Sequence, residues 1–414
     1  MEKIADLEDP PQHRSASPPQ SAVEPSSWKR RLVAVVAGLF ACYGLAHYTH
    51  RNTIHDLDPV EEVLRLQPLT DGHNDFPEFL RTFYRNHIYQ ANFSDQIKLP
   101  YHVDFPRLEK GRVRGTFWSV YVACDETDST PKYNYIHDTL QQIDLVHRIA
   151  SLYPNHLTLV PDTAAFRSTF TSSPTSSIAS FLGVEGLHQI GSSASTLRLY
   201  HALGARYITL THMCHNEYAD SATPVKPRHN GLSARGRDIV LEMNRLGMAV
   251  DLAHVSVKSM HDALDTTKAP VIFSHSSVYA LCPHERNVPD DVLVRLAENG
   301  GVIMITFFPE YTRCDDPGNA TLNDVADHIQ YVGDLIGYQY VGFGSDFDGM
   351  ERTIRGLEDV SKYPDLIREL LDRGVSVEDV AGVIGGNVLR VMGEIEEISR
   401  EMNAQGITPL EDEI

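Results

Sequence analysis

The amino-acid sequence predicts an α/β fold, a (β/α)8 barrel of the TIM type with extra C-terminal helices. Short runs of β-branched and aromatic residues alternate with amphipathic helical patterns from about residue 60 onward. Eight such alternations favour a closed parallel barrel, although an open doubly wound sheet is built from the same units. The 414 residues suit one large catalytic domain, because such barrels often exceed roughly 250 residues.

The predicted strands end where apolar runs give way to polar or small residues. In chain order, the strand ends lie near Leu69, Val122, Val184, Thr211, Leu252, Phe273, Ile305 and Gly344. Helical periodicity between the strands predicts helices that include residues 140–152, 239–246, 292–298 and 325–336. After the last strand, helices are predicted at 365–372 and 377–392. We therefore assign residues 60–398 to the barrel and 399–414 to a polar C-terminal tail.

The N-terminal region differs in composition from the barrel. Residues 1–28 are rich in proline and serine, which predicts a disordered cytoplasmic tail. Residues 29–48 contain three basic residues followed by an apolar run that, as a helix, would span about 22 Å. This pattern predicts a membrane anchor, with a signal segment as the alternative. By the positive-inside rule, the chain would be a single-pass membrane protein with a cytoplasmic N-terminus and a lumenal or extracellular catalytic domain.

Charge and cysteine content limit the partners and the compartment. The net charge of −20 argues against nucleic acid as a partner, because nucleic-acid binders need a basic surface. Glycosylation sequons begin at Asn92 and Asn319, which fits a lumenal domain. In such a compartment two disulfides could form, with three possible connectivities, among Cys124, Cys214, Cys282 and Cys314.

Polar residues with metal-binding chemistry cluster at the predicted strand ends. These residues are His73, Asp75, Glu185, His212, His254, His275 and Asp346. Barrel enzymes build their active sites at this face, so side chains from separate strands should converge there. His73 and Asp75 are two residues apart and would point to one face of an extended segment. A single histidine at a strand end is more often structural, but this combination suits two first-row ions, such as zinc, that share a carboxylate.

Arg286 follows the sixth predicted strand. Its planar guanidinium could capture a substrate carboxylate through a bidentate contact. The alternative is a salt bridge within the loop to Asp290 or Asp291. The spacing favours neither role.

At these residues the sequence resembles the membrane (renal) dipeptidase family of zinc metallopeptidases. The matching segments, in family order, are DGHNDFP, GVEGLH, ITLTHMC, VDLAHVS, PVIFSHSS, RNVPDD and GFGSDFDG. The resemblance implies that His73 and Asp75 bind one zinc ion, that His254 and His275 bind the other, and that Glu185 bridges the two.

The resemblance also assigns roles outside the metal site. It implies that His212 and Arg286 contact substrate and that Asp346 takes part in proton transfer. It further implies disulfides between Cys124 and Cys214 and between Cys282 and Cys314. No lumenal cysteine is then left for an intersubunit disulfide, so a homodimer would be noncovalent.

The function expected from these residues is hydrolysis of dipeptides by a hydroxide that bridges two Zn2+ ions. Cysteinylglycine conjugates and carbapenem-type β-lactams are further substrates implied by the family resemblance. The alternatives are a binuclear amidohydrolase acting on a cyclic amide and a noncatalytic surface receptor. Such amidohydrolases more often carry His-x-His and a carbamylated lysine, where this chain has Asp75 and Glu185. A receptor would be expected to have lost a metal ligand, and every ligand type is present.

Overall fold

A computed structural model describes residues 58–412, apart from 94–98, 126, 128–129 and 173–176. The predicted tail at 1–28 and the predicted anchor at 29–48 lie outside the described residues. Within the described part of the chain, none of the helices combines the length and apolar character needed to cross a bilayer.

Nine parallel strands in the described residues build one sheet, and eight of them close into a barrel. The strands are β1 (Leu69–Asn74), β2 (Val113–Val120), β3 (Leu157–Leu159), β4 (Ile178–Val184), β5 (Ala205–Thr209), β6 (Ala249–Asp251), β7 (Ile272–Ser276), β8 (Val302–Ile305) and β9 (Val341–Phe343). The ring closes because β1 pairs with both β2 and β9, and β2 also pairs with β4. The short β3 pairs only with the first half of β4 and lies outside the ring. The predicted (β/α)8 barrel is confirmed.

Helices connect the strands and cover the barrel. They are α1 (Pro59–Leu66), α2 (Phe76–Tyr84), α3 (Phe105–Lys110), α4 (Lys132–Leu152), α5 (Thr163–Ser172), α6 (Ala194–Ala202), α7 (Ala234–Leu246), α8 (Val257–Thr266), α9 (Asp290–Asn299), α10 (Pro309–Thr312), α11 (Leu322–Ile336), α12 (Tyr363–Asp372), α13 (Val377–Ala381) and α14 (Asn387–Ala404). Side-chain caps fix several helix starts; Ser233, for example, accepts a hydrogen bond from the Gly236 backbone N–H at the start of α7.

The first strand differs from its prediction. It begins, rather than ends, at Leu69 and continues to Asn74. The polar residue Asp71 is buried within it, because its carboxylate accepts hydrogen bonds from the Ser345 backbone N–H at 2.8 Å and the Tyr363 hydroxyl at 2.6 Å. Partners far along the chain thus satisfy a carboxylate that local sequence assigns to a loop.

The C-terminal region is also more ordered than its composition predicts. The predicted helix at 377–392 is split into α13, a π turn at Gly382–Gly386 and α14. At the turn, a Cβ on Gly385 would lie 2.0 Å from the Pro68 carbonyl oxygen, so only glycine fits. Helix α14 continues beyond the predicted tail boundary to Ala404, because Ser399 and Asn403 donate hydrogen bonds to the Arg245 carbonyl at the end of α7.

Two disulfides join loops around the barrel, Cys124 with Cys214 and Cys282 with Cys314, which is the pairing that the resemblance implies. Disulfides persist in oxidising compartments, so they indicate a lumenal or extracellular catalytic domain. Asn92 and Asn319 are both exposed, and their glycosylation stays a prediction.

Candidate metal centre

A cavity of about 310 Å³ opens at the carboxyl ends of the barrel strands. His73 lies in β1 and His275 in β7, while Glu185 directly follows β4. The cavity wall includes Glu185, His212, His254 and Asp346. Closure of the ring therefore brings the strand-end residues of the sequence prediction to one place.

One group of possible ligands surrounds His73. Its Nε2 atom lies 3.3 Å from Asp75 Oδ2 and 3.6 Å from Glu185 Oε1. All three residues are buried. Asp75 does not extend the strand, as the sequence prediction assumed, but lies at the N-terminus of α2 with φ −93° and ψ 19°. The turn out of β1, rather than strand alternation, brings Asp75 beside His73.

A second group shares the same carboxylate. Glu185 Oε1 lies 3.0 Å from His254 Nε2 and 3.5 Å from His275 Nε2, and the two imidazole nitrogens are 2.8 Å apart. His254 has a φ of +70°, a left-handed conformation that is unusual for a non-glycine residue. Strain of this kind occurs at functional sites, where it orients a side chain.

The donor atoms of both groups fit divalent ions. Ligands held about 2.0–2.2 Å from one tetrahedral ion lie about 3.4 Å apart, close to most of the separations given above. His73 Nε2 is buried without a hydrogen-bond partner, so a metal bond would satisfy it. Burial lowers the pKa values of His254 and His275 well below the usual value, which keeps both imidazoles in the neutral form that binds metal.

The charge balance of the site also calls for cations. Burial lowers the pKa of His73, but the nearby Asp75 and Glu185 carboxylates outweigh this effect and raise it to about 10. Burial raises the pKa of Glu185 to about 7. Both pKa values are raised, which indicates that the buried carboxylates here need positive charge beside them; a metal ion would supply it more strongly than a proton on His73.

Hydroxyl groups behind the histidines orient their rings. The Tyr207 hydroxyl lies 2.7 Å from His73 Nδ1, and Ser274 Oγ lies 2.8 Å from His275 Nδ1. Both rings therefore turn Nε2 toward Glu185. Metal-binding histidines commonly have such a partner on the other ring nitrogen.

Two further predicted residues line the cavity. His212 Nε2 lies 3.9 Å from Glu185 Oε1, and burial lowers the pKa of His212 to about 3, so its imidazole is neutral. Burial and the neighbouring Asp75 carboxylate raise the pKa of Asp346 well above its usual value. Asp346 also has a φ of +66° and approaches His73 and His275 closely enough to form a third possible ligand group.

Arg286 lies behind the cavity wall. It is 2% exposed, and its Nη2 group donates a hydrogen bond to the His275 carbonyl at 3.4 Å. Its guanidinium carbon lies 5.1 Å from the ring centroid of Tyr311, which does line the cavity. Its Nε is buried without a partner, so this side chain retains hydrogen-bonding capacity.

The cavity wall also contains residues that the sequence analysis missed. They are Glu78, Tyr121, Met213, Phe308, Tyr311, Asp348 and Gly349. Glu78 lies one helical turn after Asp75, a spacing from which it could have been found. Two histidines near the motifs are structural in the described residues, because His188 and His215 bond through Nε2 to the backbone carbonyls of Val122 and Lys226.

Comparisons with known proteins identify the family of the chain. Residues 57–406 match the family model described as membrane dipeptidase, peptidase family M19. The chain is 53% identical to the dipeptidase aclJ of Aspergillus oryzae, over 100% of this chain and 98% of that protein. It is 48% identical to the dipeptidase tcpJ of Claviceps purpurea, over 83% of this chain and 80% of that protein.

A solved structure supports the same assignment. The crystal structure of the dipeptidase AC, a metallopeptidase of family M19, is 25% identical, with a TM-score of 0.69. It aligns with 79% of this chain over 98% of its own length. Membership of this family implies a metal cofactor. The chain belongs to the membrane dipeptidase family, peptidase family M19, and is a peptide hydrolase.

Proposed function

We propose that this protein is a dipeptidase that uses two zinc ions to hydrolyse the peptide bond of free dipeptides. The observation that carries the proposal is the sharing of Glu185 by two ligand groups, one with His73 and Asp75 and one with His254 and His275. Imidazole and carboxylate donors suit zinc, although other first-row ions accept the same ligands. A noncatalytic receptor would not need these five side chains to converge.

The ions, when bound, would activate a water molecule and polarise the scissile carbonyl. The neutral imidazole of His212 can donate a hydrogen bond to the oxyanion that develops on that carbonyl. Asp346 can hold a proton at its carboxyl group and deliver it to the departing amine. The raised pKa of Asp346 suits it to this transfer, because the carboxyl group must carry a proton before it donates one.

Arg286 would bind the C-terminal carboxylate of the substrate. It is buried beside Tyr311, so a carboxylate that reached it would be shielded from water and bound more strongly than at the surface. This contact would limit the substrate to two residues. If dipeptides and their C-terminal amides are cleaved with equal kcat/KM, Arg286 does not have this role.

A hydrolysis screen tests the proposed function. The purified catalytic domain is incubated with dipeptides, cysteinylglycine conjugates, a carbapenem and a cyclic amide, with and without a chelator. We expect chelator-sensitive cleavage of dipeptides and recovery when zinc is restored. The proposal fails if dipeptides stay intact while the cyclic amide is opened, or if hydrolysis continues at full rate in metal-free protein.

Three further parts of the proposal rest on sequence alone. They are an N-terminal membrane anchor at residues 29–48 with a cytoplasmic N-terminus, glycosylation at Asn92 and Asn319, and a noncovalent homodimer. Alkaline extraction of membranes, glycosidase digestion and size-exclusion chromatography test these three points separately.

A further inference from the structure

A further carboxylate lines the cavity outside the possible metal-ligand groups. Glu78 is in the first turn of α2, three residues after Asp75, and its side chain lines the cavity that contains Glu185. It is half-buried rather than free in solvent. None of the metal-ligand groups includes it.

The Glu78 carboxylate is held in place by two side-chain donors, of which Gln142 is buried and Thr82 is exposed. Gln142 Nε2 donates to Glu78 Oε2 at 3.1 Å and also approaches the Tyr121 carbonyl oxygen at 3.3 Å. Gln142 is 0% exposed, so its amide is a fixed part of the protein interior. Thr82 Oγ1 donates to Glu78 Oε1 at 2.8 Å. A carboxylate oxygen has two lone pairs, so each oxygen can accept one more hydrogen bond.

Glu78 forms no ion pair among the described residues. The nearest candidate on the same helix is Arg81, but its Nη2 lies 3.2 Å from Asp138 Oδ2 and forms an ion pair there. The two side chains that donate hydrogen bonds to its carboxylate, Gln142 and Thr82, are neutral, so neither balances its negative charge. A partly buried carboxylate in this state favours a cationic ligand.

The cavity therefore has a guanidinium group behind one part of its wall and the Glu78 carboxylate in another part. Arg286 lies behind Tyr311, whereas Glu78 accepts a hydrogen bond from the Gln142 amide, which also donates to the Tyr121 carbonyl. A free dipeptide is a zwitterion with one carboxylate and one ammonium group. The carboxylate has a cationic partner in the proposed function, but the ammonium group has none.

We propose that Glu78 binds the α-ammonium group of the dipeptide and so selects substrates with a free N-terminus. This inference rests on the proposed dipeptidase function and adds a specificity residue to it. Gln142 and Thr82 act as positioning residues that hold the carboxylate toward the cavity. The other acidic groups of the wall are less suited, because Asp75, Glu185 and Asp346 belong to the possible metal-ligand groups and the Asp348 side chain is 0% exposed.

The test compares two ligands that differ only in the ammonium group. L-Ala-L-Ala is the substrate, and N-propionyl-L-alanine, which has hydrogen in place of the amine, is a competitive inhibitor. Both are measured on the zinc-loaded full-length protein as wild type, as Glu78→Gln and as Glu109→Gln. Glu109 is an exposed acid on α3 and controls for the loss of one negative charge. Zinc content is measured for every protein.

We expect Glu78→Gln to raise KM for L-Ala-L-Ala by roughly tenfold or more, because a charge-assisted hydrogen bond is lost. The inhibition constant of N-propionyl-L-alanine should stay within about twofold, since that ligand makes no such contact. Glu109→Gln should change neither value. A purely structural role for Glu78, such as stabilising the start of α2, would weaken both ligands together or change only the melting temperature.

The outcomes separate this inference from the proposed function. An active wild type with an unchanged KM in Glu78→Gln overturns the role of Glu78 alone, and so does equal weakening of both ligands. A wild type that cleaves no dipeptide overturns the proposed function and this inference with it. Should Glu78→Gln not fold, Glu78→Asp keeps the charge but withdraws it by one methylene, and should raise the same KM without affecting the inhibitor.

Discussion

The Tyr207 hydroxyl lies 2.7 Å from His73 Nδ1 and 3.3 Å from the Gly72 carbonyl oxygen. The hydroxyl donates to the carbonyl, so it accepts from the Nδ1–H group of His73. This arrangement fixes the tautomer of His73 and leaves the Nε2 lone pair directed toward Asp75 and Glu185. Tyr207 is itself fully buried in the barrel.

Replacing Tyr207 with phenylalanine should therefore weaken metal binding without removing a ligand. Loss of an outer partner of a metal-binding histidine typically costs about 10- to 100-fold in metal affinity or activity. Competition with a chelator would measure the affinity, and circular dichroism would confirm the fold. An unchanged zinc affinity would show that the hydroxyl does not orient His73.

His275→Ala should remove one metal ion and nearly all activity, because two of the possible ligand groups include His275. The loss should exceed the roughly 100-fold cost of an outer-shell change. Elemental analysis and dipeptide turnover measure the two effects. His87→Ala is the control, since His87 is exposed and outside the site. Full metal content and full turnover in His275→Ala would make the site assignment wrong.

Gly349→Ala should damage the site by steric overlap alone. Gly349 does not have a left-handed φ, so alanine can adopt its backbone conformation, but the added Cβ would lie 2.5 Å from Asp75 Oδ2 and 2.5 Å from Asp346 Oδ1. Both carboxylates would have to move. A displacement of about 1 Å can cost roughly 100-fold in rate. Turnover and zinc content should fall while the melting temperature changes little; normal turnover would show that the two carboxylates tolerate the shift.

A pH effect on stability follows from His102 and Asp348. The His102 backbone N–H donates to Asp348 Oδ1 at 2.8 Å, and the Asp348 backbone N–H donates to His102 Nδ1 at 3.0 Å. Because Nδ1 accepts this bond, the imidazole is neutral, and its 3.5 Å approach to Asp348 Oδ1 is not an ion pair. Burial lowers the pKa of His102 to about 4 and raises that of Asp348 to about 8, which agrees with a neutral pair.

The folded-state pKa of His102 lies below its ordinary value of 6.5. The neutral His102 imidazole therefore contributes to stability above pH 6.5, and this contribution is lost as the pH falls toward 4. His102→Asn keeps an acceptor near the position of Nδ1 but does not titrate. Urea unfolding measures the free energy of unfolding at pH 7 and at pH 4.5. Its decrease between the two pH values should be smaller in the variant than in the wild type by roughly 2 kcal/mol. An equal loss in both proteins would contradict the assignment of this titration to His102.

The periodicity of the sequence predicted the barrel, because strand and helix patterns depend on which neighbouring residues are apolar. The first strand was placed too early for the same reason. Asp71 and Gly72 have the composition of a loop, and hydrogen bonds from Ser345 and Tyr363, far along the chain, help to satisfy the buried carboxylate there. Likewise, the local sequence around Ser399 and Asn403 predicts a loose tail, but both side chains donate hydrogen bonds to a carbonyl at the end of α7.

The sequence by itself determined which side chains are candidates for the chemistry and that they lie at or near the ends of barrel strands. Only the tertiary structure decided that one carboxylate, Glu185, is shared by two ligand groups, and that Glu78 is held in the same cavity by the buried amide of Gln142. The physical reason is that residue types and their spacing are local properties. The distances between strand ends instead depend on closure of the ring, which brings β1, β4, β6 and β7 together at one rim.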